Sequence, residues 1–150
     1  MAAGSTAIIT AALGLSLATA GPASAADGSW RAYGNTNPIT SSSSTWKCAS
    51  TVKIATSVGA QVCAIRSSSG GAVQGAVIVR NDRDSLYSVS ATVGLYNSSG
   101  VSIGIWSCPS SGVGANSWSV CFGETLTRSG SVHAQAATTG GESLGTSPSV

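Results

Sequence analysis

The stretch "LYSVSATVGLYN", residues 86 to 97, decides the fold. Tyr87, Val89, Ala91, Val93 and Leu95 share one phase of a two-residue period, and Ser88, Ser90 and Thr92 share the other. Successive side chains of a strand point to opposite faces, so this alternation marks a strand with one buried and one wet face. The same period runs outward in both directions. "AVQGAVIVRN" (72–81) puts Val73, Val77 and Val79 on one face and Gln74 and Arg80 on the other. In "TWKCASTVKIA" (45–55), Trp46, Cys48, Val52 and Ile54 face one way, and Lys47, Thr51 and Lys53 the other. "AQVCAIR", "VSIGIWSC", "SWSVCFGE" and "SVHAQAA" complete about seven strands, separated by "NDRDS", "NSSG", "SSGVGAN" and "RSG". The expected fold is all-β: an antiparallel β-sandwich, or a closed barrel, with no helix between strands.

Composition agrees. Charged residues make up 8% of the chain, Gly, Ser, Thr, Val and Ala dominate, and the strong helix formers Leu, Glu and Lys are scarce. Net charge is +2, and the seven basic residues form no run. Lys47 and Lys53 share a strand face, while Arg80 and Arg83 flank a turn. Nucleic-acid binding draws most of its affinity from a dense positive surface, so that class is set aside.

The N-terminus reads as an export signal. Residues 7–20, "AIITAALGLSLATA", are apolar and uncharged, and Ala23-Ser24-Ala25 follows the A-x-A cleavage pattern. Fourteen residues are too few to span a bilayer, which needs about twenty, and no second apolar run follows. "MAAGST" lacks the cationic residues expected ahead of such a run, which points to a start further upstream or to a trimmed chain. The expected organisation is a signal peptide over 1–25, a loop or lead-in over 26–45, and one β domain over 46–150. No membrane anchor is expected after cleavage near Ala26. The expected location is extracellular.

Within that domain two segments are spelled alike. "WKCASTVKIATSVGAQVCAIRSSSGGAV" (46–73) and "WSCPSSGVGANSWSVCFGETLTRSGSV" (106–132) both run W-x-C, a gap, V-C, a gap, then Gly-x-Val. Trp46 to Trp106, Cys63 to Cys121 and Val73 to Val132 are offset by 60, 58 and 59 positions. Near-constant offsets between rare residues argue for two related halves, 46–105 and 106–150.

The four cysteines, Cys48, Cys63, Cys108 and Cys121, are spaced fifteen and thirteen apart within each segment. Structural zinc sites generally need close pairs such as C-x₂₋₄-C, and a catalytic thiolate needs a base where only His133 exists. No metal or cofactor motif is present. In an oxidising compartment the four cysteines make two disulfides. Of three possible pairings the repeat favours Cys48–Cys63 and Cys108–Cys121, one per half, across adjacent strands. Each closes a loop worth about 3 kcal/mol in the chain-entropy model.

Trp46 shares a face with Cys48 and is expected to pack beside the first disulfide. Trp118, in phase with Val120 and Phe122, reads as core. Trp106 has two readings. In "VSIGIWSC" the apolar phase is Val101, Ile103 and Ile105, so either a bulge shifts the phase ahead of Trp106 or its ring lies outward over Gly104. Core packing is the favoured reading. The outward ring would be a platform for a sugar or a peptide, which makes Trp106 the one candidate binding residue.

Catalytic signatures are lacking. His133 lies opposite the expected core face, no G-x-S-x-G elbow occurs, and Asp27, Asp82, Asp84, Glu124 and Glu142 form no recognisable pair. "NDRDS" lacks the glycine and distal glutamate of a calcium loop and reads as a turn.

The combination of "WKC", "VQGAVIVRND", "WSC", "GVGANSWSVCFG", "VHA" and a terminal "LGTSPSV" resembles small exported proteins of actinobacteria with paired W-x-C…C segments. The resemblance implies secretion and a paired-cysteine frame, and it supplies no catalytic residues. The expected function is a secreted, disulfide-stabilised, non-enzymatic protein that binds an extracellular carbohydrate, cell-wall or protein partner. The alternative is a small secreted hydrolase using His133 with a nearby carboxylate. Oligomeric state is left open.

Overall fold

The structure is a computed structural model that describes residues 25–150. The signal peptide expected over 1–25 lies, apart from Ala25, outside the described residues. There are twelve strands and no helix among those residues: β1 (Ala26–Asp27), β2 (Ser29–Gly34), β3 (Thr45–Cys48), β4 (Val52–Ala55), β5 (Val58–Arg66), β6 (Ala72–Asn81), β7 (Tyr87–Asn97), β8 (Ser102–Val113), β9 (Ser117–Phe122), β10 (Leu126–Thr127), β11 (Val132–Thr138) and β12 (Glu142–Thr146). They form two sheets packed face to face. One has the order β1-β8-β7-β11-β12; the other runs β2-β9-β6-β5-β3, with β10 also paired to β6 and β4 to β5. The sandwich is antiparallel except for the two-residue pairing of β1 with β8.

Twelve strands replace the expected seven because the additional ones are short. Most add a few residues at an edge or continue a longer neighbour, too few to display a period. The lead-in expected over 26–45 is one place where this matters: β1 and β2 occupy its first part, and only residues 35–44 are loop. The expected turn at 110–116 is shortened in the same way, since β8 continues to Val113.

The inner faces carry the phases read from the sequence. Val89, Ala91, Val93 and Leu95 of β7 meet Val73, Val77 and Val79 of β6 in the main core. The seven-stranded sheet is apolar on its outer face as well. Cys63, Ile65, Ala76, Ile78 and Val120 form a second cluster there, covered by Tyr33, Ile39, Trp46, Trp118 and Phe122. Trp46 meets Phe122 edge to face at 6.0 Å. Ile39 comes from the 35–44 loop, which Asn37 turns by accepting the Ile39 N–H at 2.9 Å and the Ser41 hydroxyl at its carbonyl.

Inserted residues reset the phase at several sites, two of which decide where Cys48 and Trp106 point. Cys48 opposes Cys63 and Val52 opposes Ala60, so β3 and β4 spend four residues where β5 spends three. One extra residue flips every later side chain to the other face. Trp46 and Cys48 therefore join the outer cluster while Val52 and Ile54 pack on the main core. Lys47 and Lys53, expected on one face, pair with Ala64 and Gly59 and so lie on opposite faces. In β8, Gly104 opposes Leu95 and Ser102 opposes Tyr96, which leaves Ile103 as the extra residue. Downstream of it Trp106 and Cys108 turn inward.

The disulfides are Cys48–Cys63 and Cys108–Cys121, as the repeat favours. Their settings differ. Cys48 and Cys63 are directly opposed on adjacent strands of one sheet, whereas Cys108 of β8 and Cys121 of β9 join the two sheets across the core. The similar spelling of 46–73 and 106–132 is therefore not matched by similar pairing: β3 and β5 are neighbours in one sheet, while β8 and β9 face each other.

Candidate functional site

The outer face of the five-stranded sheet is built from the residues that alternate with the core. They are Thr92, Gly94 and Tyr96 on β7, Ile105 and Ser107 on β8, and His133 and Gln135 on β11. Beside β12 this face deepens into an open hollow of about 320 Å³, to which Ser143 and Thr146 contribute. None of the residues lining the hollow carries a formal charge.

One aromatic pair shapes this surface. Tyr96 and His133 oppose each other across β7 and β11, with ring centroids 5.7 Å apart and planes 18° from parallel. Cross-strand pairs of this kind stabilise the sheet locally and hold one another's rotamers. Gly94 lets the tyrosine lie down. A Cβ on Gly94 would sit 2.7 Å from the Tyr96 hydroxyl and 2.9 Å from Cε2, so the ring folds back along the strand into space that only glycine leaves open. Around the rings stand hydrogen-bonding groups without charge: the Gln135 amide, and the Thr92 and Ser107 hydroxyls bonded to each other at 3.0 Å.

The residues singled out from the sequence fall elsewhere. Trp106 is 2% exposed and belongs to the main core, so the outward platform is not what forms. Its ring nevertheless lies against Gly104, and it lies against Gly123 as well. The indole N–H points to Glu124 Oε2 at 3.5 Å. Bulge and glycine, offered as alternatives by the sequence, act together: the bulge turns Trp106 inward and Gly104 makes room for it.

His133 pairs with Tyr96, and among the described residues no carboxylate oxygen lies within salt-bridge distance of its ring. Arg80–Asp82 is the one ion pair among the described residues. Asp82 and Asp84 sit in the turn after β6, where buried Asn81 does the organising. Its amide donates to the carbonyls of Ser85, Val113 and Gly114 at 2.8 to 3.1 Å, and its Oδ1 accepts the Arg83 N–H. All four cysteines are consumed in disulfides, and no cluster of three or more potential metal ligands occurs among the described residues.

Tyr96 and Gln135 were missed as surface residues although a signal existed. Tyr96 is the aromatic on the polar phase of the stretch 86–97, one position out of step with Val93 and Leu95. No protein-family model and no curated protein matches the chain.

Proposed function

We propose that this is an extracellular, non-enzymatic protein that binds a neutral polysaccharide on the outer face of its five-stranded sheet. The carrying observation is the Tyr96–His133 ring pair laid along an uncharged sheet face bordered by hydroxyl and amide groups. A pyranose presents a C–H face that suits an aromatic ring and a rim of hydroxyls that both donate and accept, which is what Thr92, Ser107 and Gln135 supply. A protein or anionic cell-wall partner would call for a larger apolar patch or a charged complement, and this face has neither. Two disulfides support an oxidising destination.

Retention on insoluble cellulose, chitin and xylan tests the reading, with isolated cell-wall sacculi and an immobilised protease as the competing partners. The expected result is retention on at least one neutral polysaccharide, lost in Tyr96→Ala. Retention only on sacculi or protease would overturn it. So would release of soluble sugar from the polysaccharide that stops in His133→Ala, since that is the behaviour of a hydrolase.

A further inference from the structure

The opposite side of the molecule carries a second, differently built recess. On the outer face of the seven-stranded sheet, Thr51, Gly59, Gln61, Ile78, Arg80 and Trp118 surround a cleft of about 150 Å³, with Asp82 at its rim. We propose that this cleft is a binding site for a single neutral pyranose unit, held through a pair of vicinal hydroxyls. It is independent of the site on the five-stranded sheet.

The guanidinium of Arg80 is fixed before any ligand arrives. Its Nε–H donates to Asp82 Oδ1 at 2.6 Å, and its Nη1 donates to Asn35 Oδ1 at 2.8 Å and to the Asn116 carbonyl at 3.3 Å. It also lies 5.1 Å over the Trp118 ring. The neighbouring Asp82 and two other segments of chain, at Asn35 and at 116–118, thus hold one side chain, whose exposure is 21%. Preorganisation of this kind removes the ordering cost that a free arginine would incur on binding. Nη2 has no partner among the described residues, and neither has Asp82 Oδ2. One ion pair thus keeps a donor and an acceptor that no described residue uses.

That combination selects the ligand. Each hydroxyl of a vicinal diol can accept from one group and donate to the next, so the diol matches the Arg80–Asp82 edge without changing its net charge. A carboxylate or phosphate would match Arg80 but face Asp82, and like charges at that distance repel. Gln61 adds a further donor. Its Oε1 is occupied by the Thr51 hydroxyl at 3.0 Å, while its Nε2 has only Cys63 Sγ at 4.0 Å. Ile78 and the Trp118 ring supply apolar walls. Pockets for drug-sized ligands run from about 300 Å³ upward, so a cleft of 150 Å³ suits one ring and not a chain.

The test is an NMR titration of the ¹⁵N-labelled protein with the methyl glycosides of glucose, mannose and galactose. The Trp118 indole N–H signal, assigned with Trp118→Phe, is the readout. A ligand of this size commands a Kd of about 1–10 mM, so titration to tenfold above that range covers the expected binding. The expected result is a saturable shift of the Trp118 signal with at least one glycoside, abolished in Asp82→Asn and in Arg80→Lys and retained in Tyr96→Ala. The other indole signals report that each variant is folded. Silence of Trp118 toward all three glycosides overturns the proposal. A response to sodium glucuronate without one to the neutral glycosides does the same. Shifts confined to Tyr96 and His133 also overturn it while leaving the polysaccharide face in place. Loss of polysaccharide retention with the Trp118 response intact would instead sink that other reading alone.

Discussion

Gly123 and Trp106 fit so closely that a Cβ on the glycine would stand 2.5 Å from Trp106 Cε3. Real side chains do not tolerate that separation, and the indole is also packed against Gly104 and the main core. Gly123→Ala is therefore expected to destabilise the fold by about 1–3 kcal/mol through overpacking. Trp106→Ala, which empties the slot, should cost about 3–5 kcal/mol. Urea unfolding followed by circular dichroism checks both. A Gly123→Ala variant as stable as the parent would mean that the slot is looser than described.

The two disulfides should be separable by what they hold. Removing Cys108–Cys121 by double replacement with alanine unlinks the sheets, whereas removing Cys48–Cys63 leaves two strands of one sheet still hydrogen-bonded. Chain entropy assigns each about 3 kcal/mol, so equilibrium stability should fall by similar amounts. Hydrogen exchange should differ. Loss of Cys48–Cys63 is expected to speed exchange mainly in β3 and β4, and loss of Cys108–Cys121 to do so in both sheets.

Arg66 holds two loops and Val150 with one planar group. Its Nη1 donates to the carbonyls of Gly70 and Arg128 at 2.7 and 2.8 Å, and its Nη2 to those of Gly130 and Val150 at 2.5 and 3.1 Å. Lysine cannot reproduce that fork. Arg66→Lys is expected to lower stability by about 1–2 kcal/mol and to raise exchange in 67–71 and 128–131, with the core strands unaffected.

Asn81 is buried with every polar atom satisfied. Asn81→Ala strands three carbonyls and the Arg83 N–H, at an expected cost of about 1–3 kcal/mol. Asn81→Asp keeps the shape but turns a donor into an acceptor facing three carbonyl oxygens, and should be at least as damaging. Thermal unfolding of the two variants side by side checks the order.

Gly94→Ala is a test of posture. The added methyl group would occupy the space under the Tyr96 hydroxyl and lift the ring from the sheet. Stability should change little, because the position faces outward, while retention on the polysaccharide should fall at least tenfold in apparent affinity. Unchanged retention would separate binding from the ring's orientation.

Long strands with one core-facing phase were readable from the start. β7 and β6 each show ten or more residues in a single phase, and their inward residues form the centre of the main core. The cysteine pairing was readable too, from the internal repeat. What escaped was anything decided by a single residue. Nothing in "TWKCASTVKIA" announces that an extra residue falls between Cys48 and Val52, yet that residue moves the first disulfide to the outside of its sheet. Nor could the partner sheet of β9 be read, since alternation fixes which residues share a face and not which strand lies opposite. The surface site was missed for a related reason. An aromatic on the polar phase is visible, but the hollow beside it exists only once β11 and β12 are placed.

The register of the first strands sets a timetable for the chain. Ser29 pairs with Phe122, Trp30 with Cys121, and Ala26 with Trp106. Between them Gly28 crosses from one sheet to the other at the inter-sheet disulfide, where a Cβ would stand 2.8 Å from Cys108 Sγ. In N-to-C synthesis these residues are made 80 to 93 positions before their partners, so they stay unpaired until most of the polypeptide has emerged. Only then can Gly28 seat against the Cys108 side of the inter-sheet bridge.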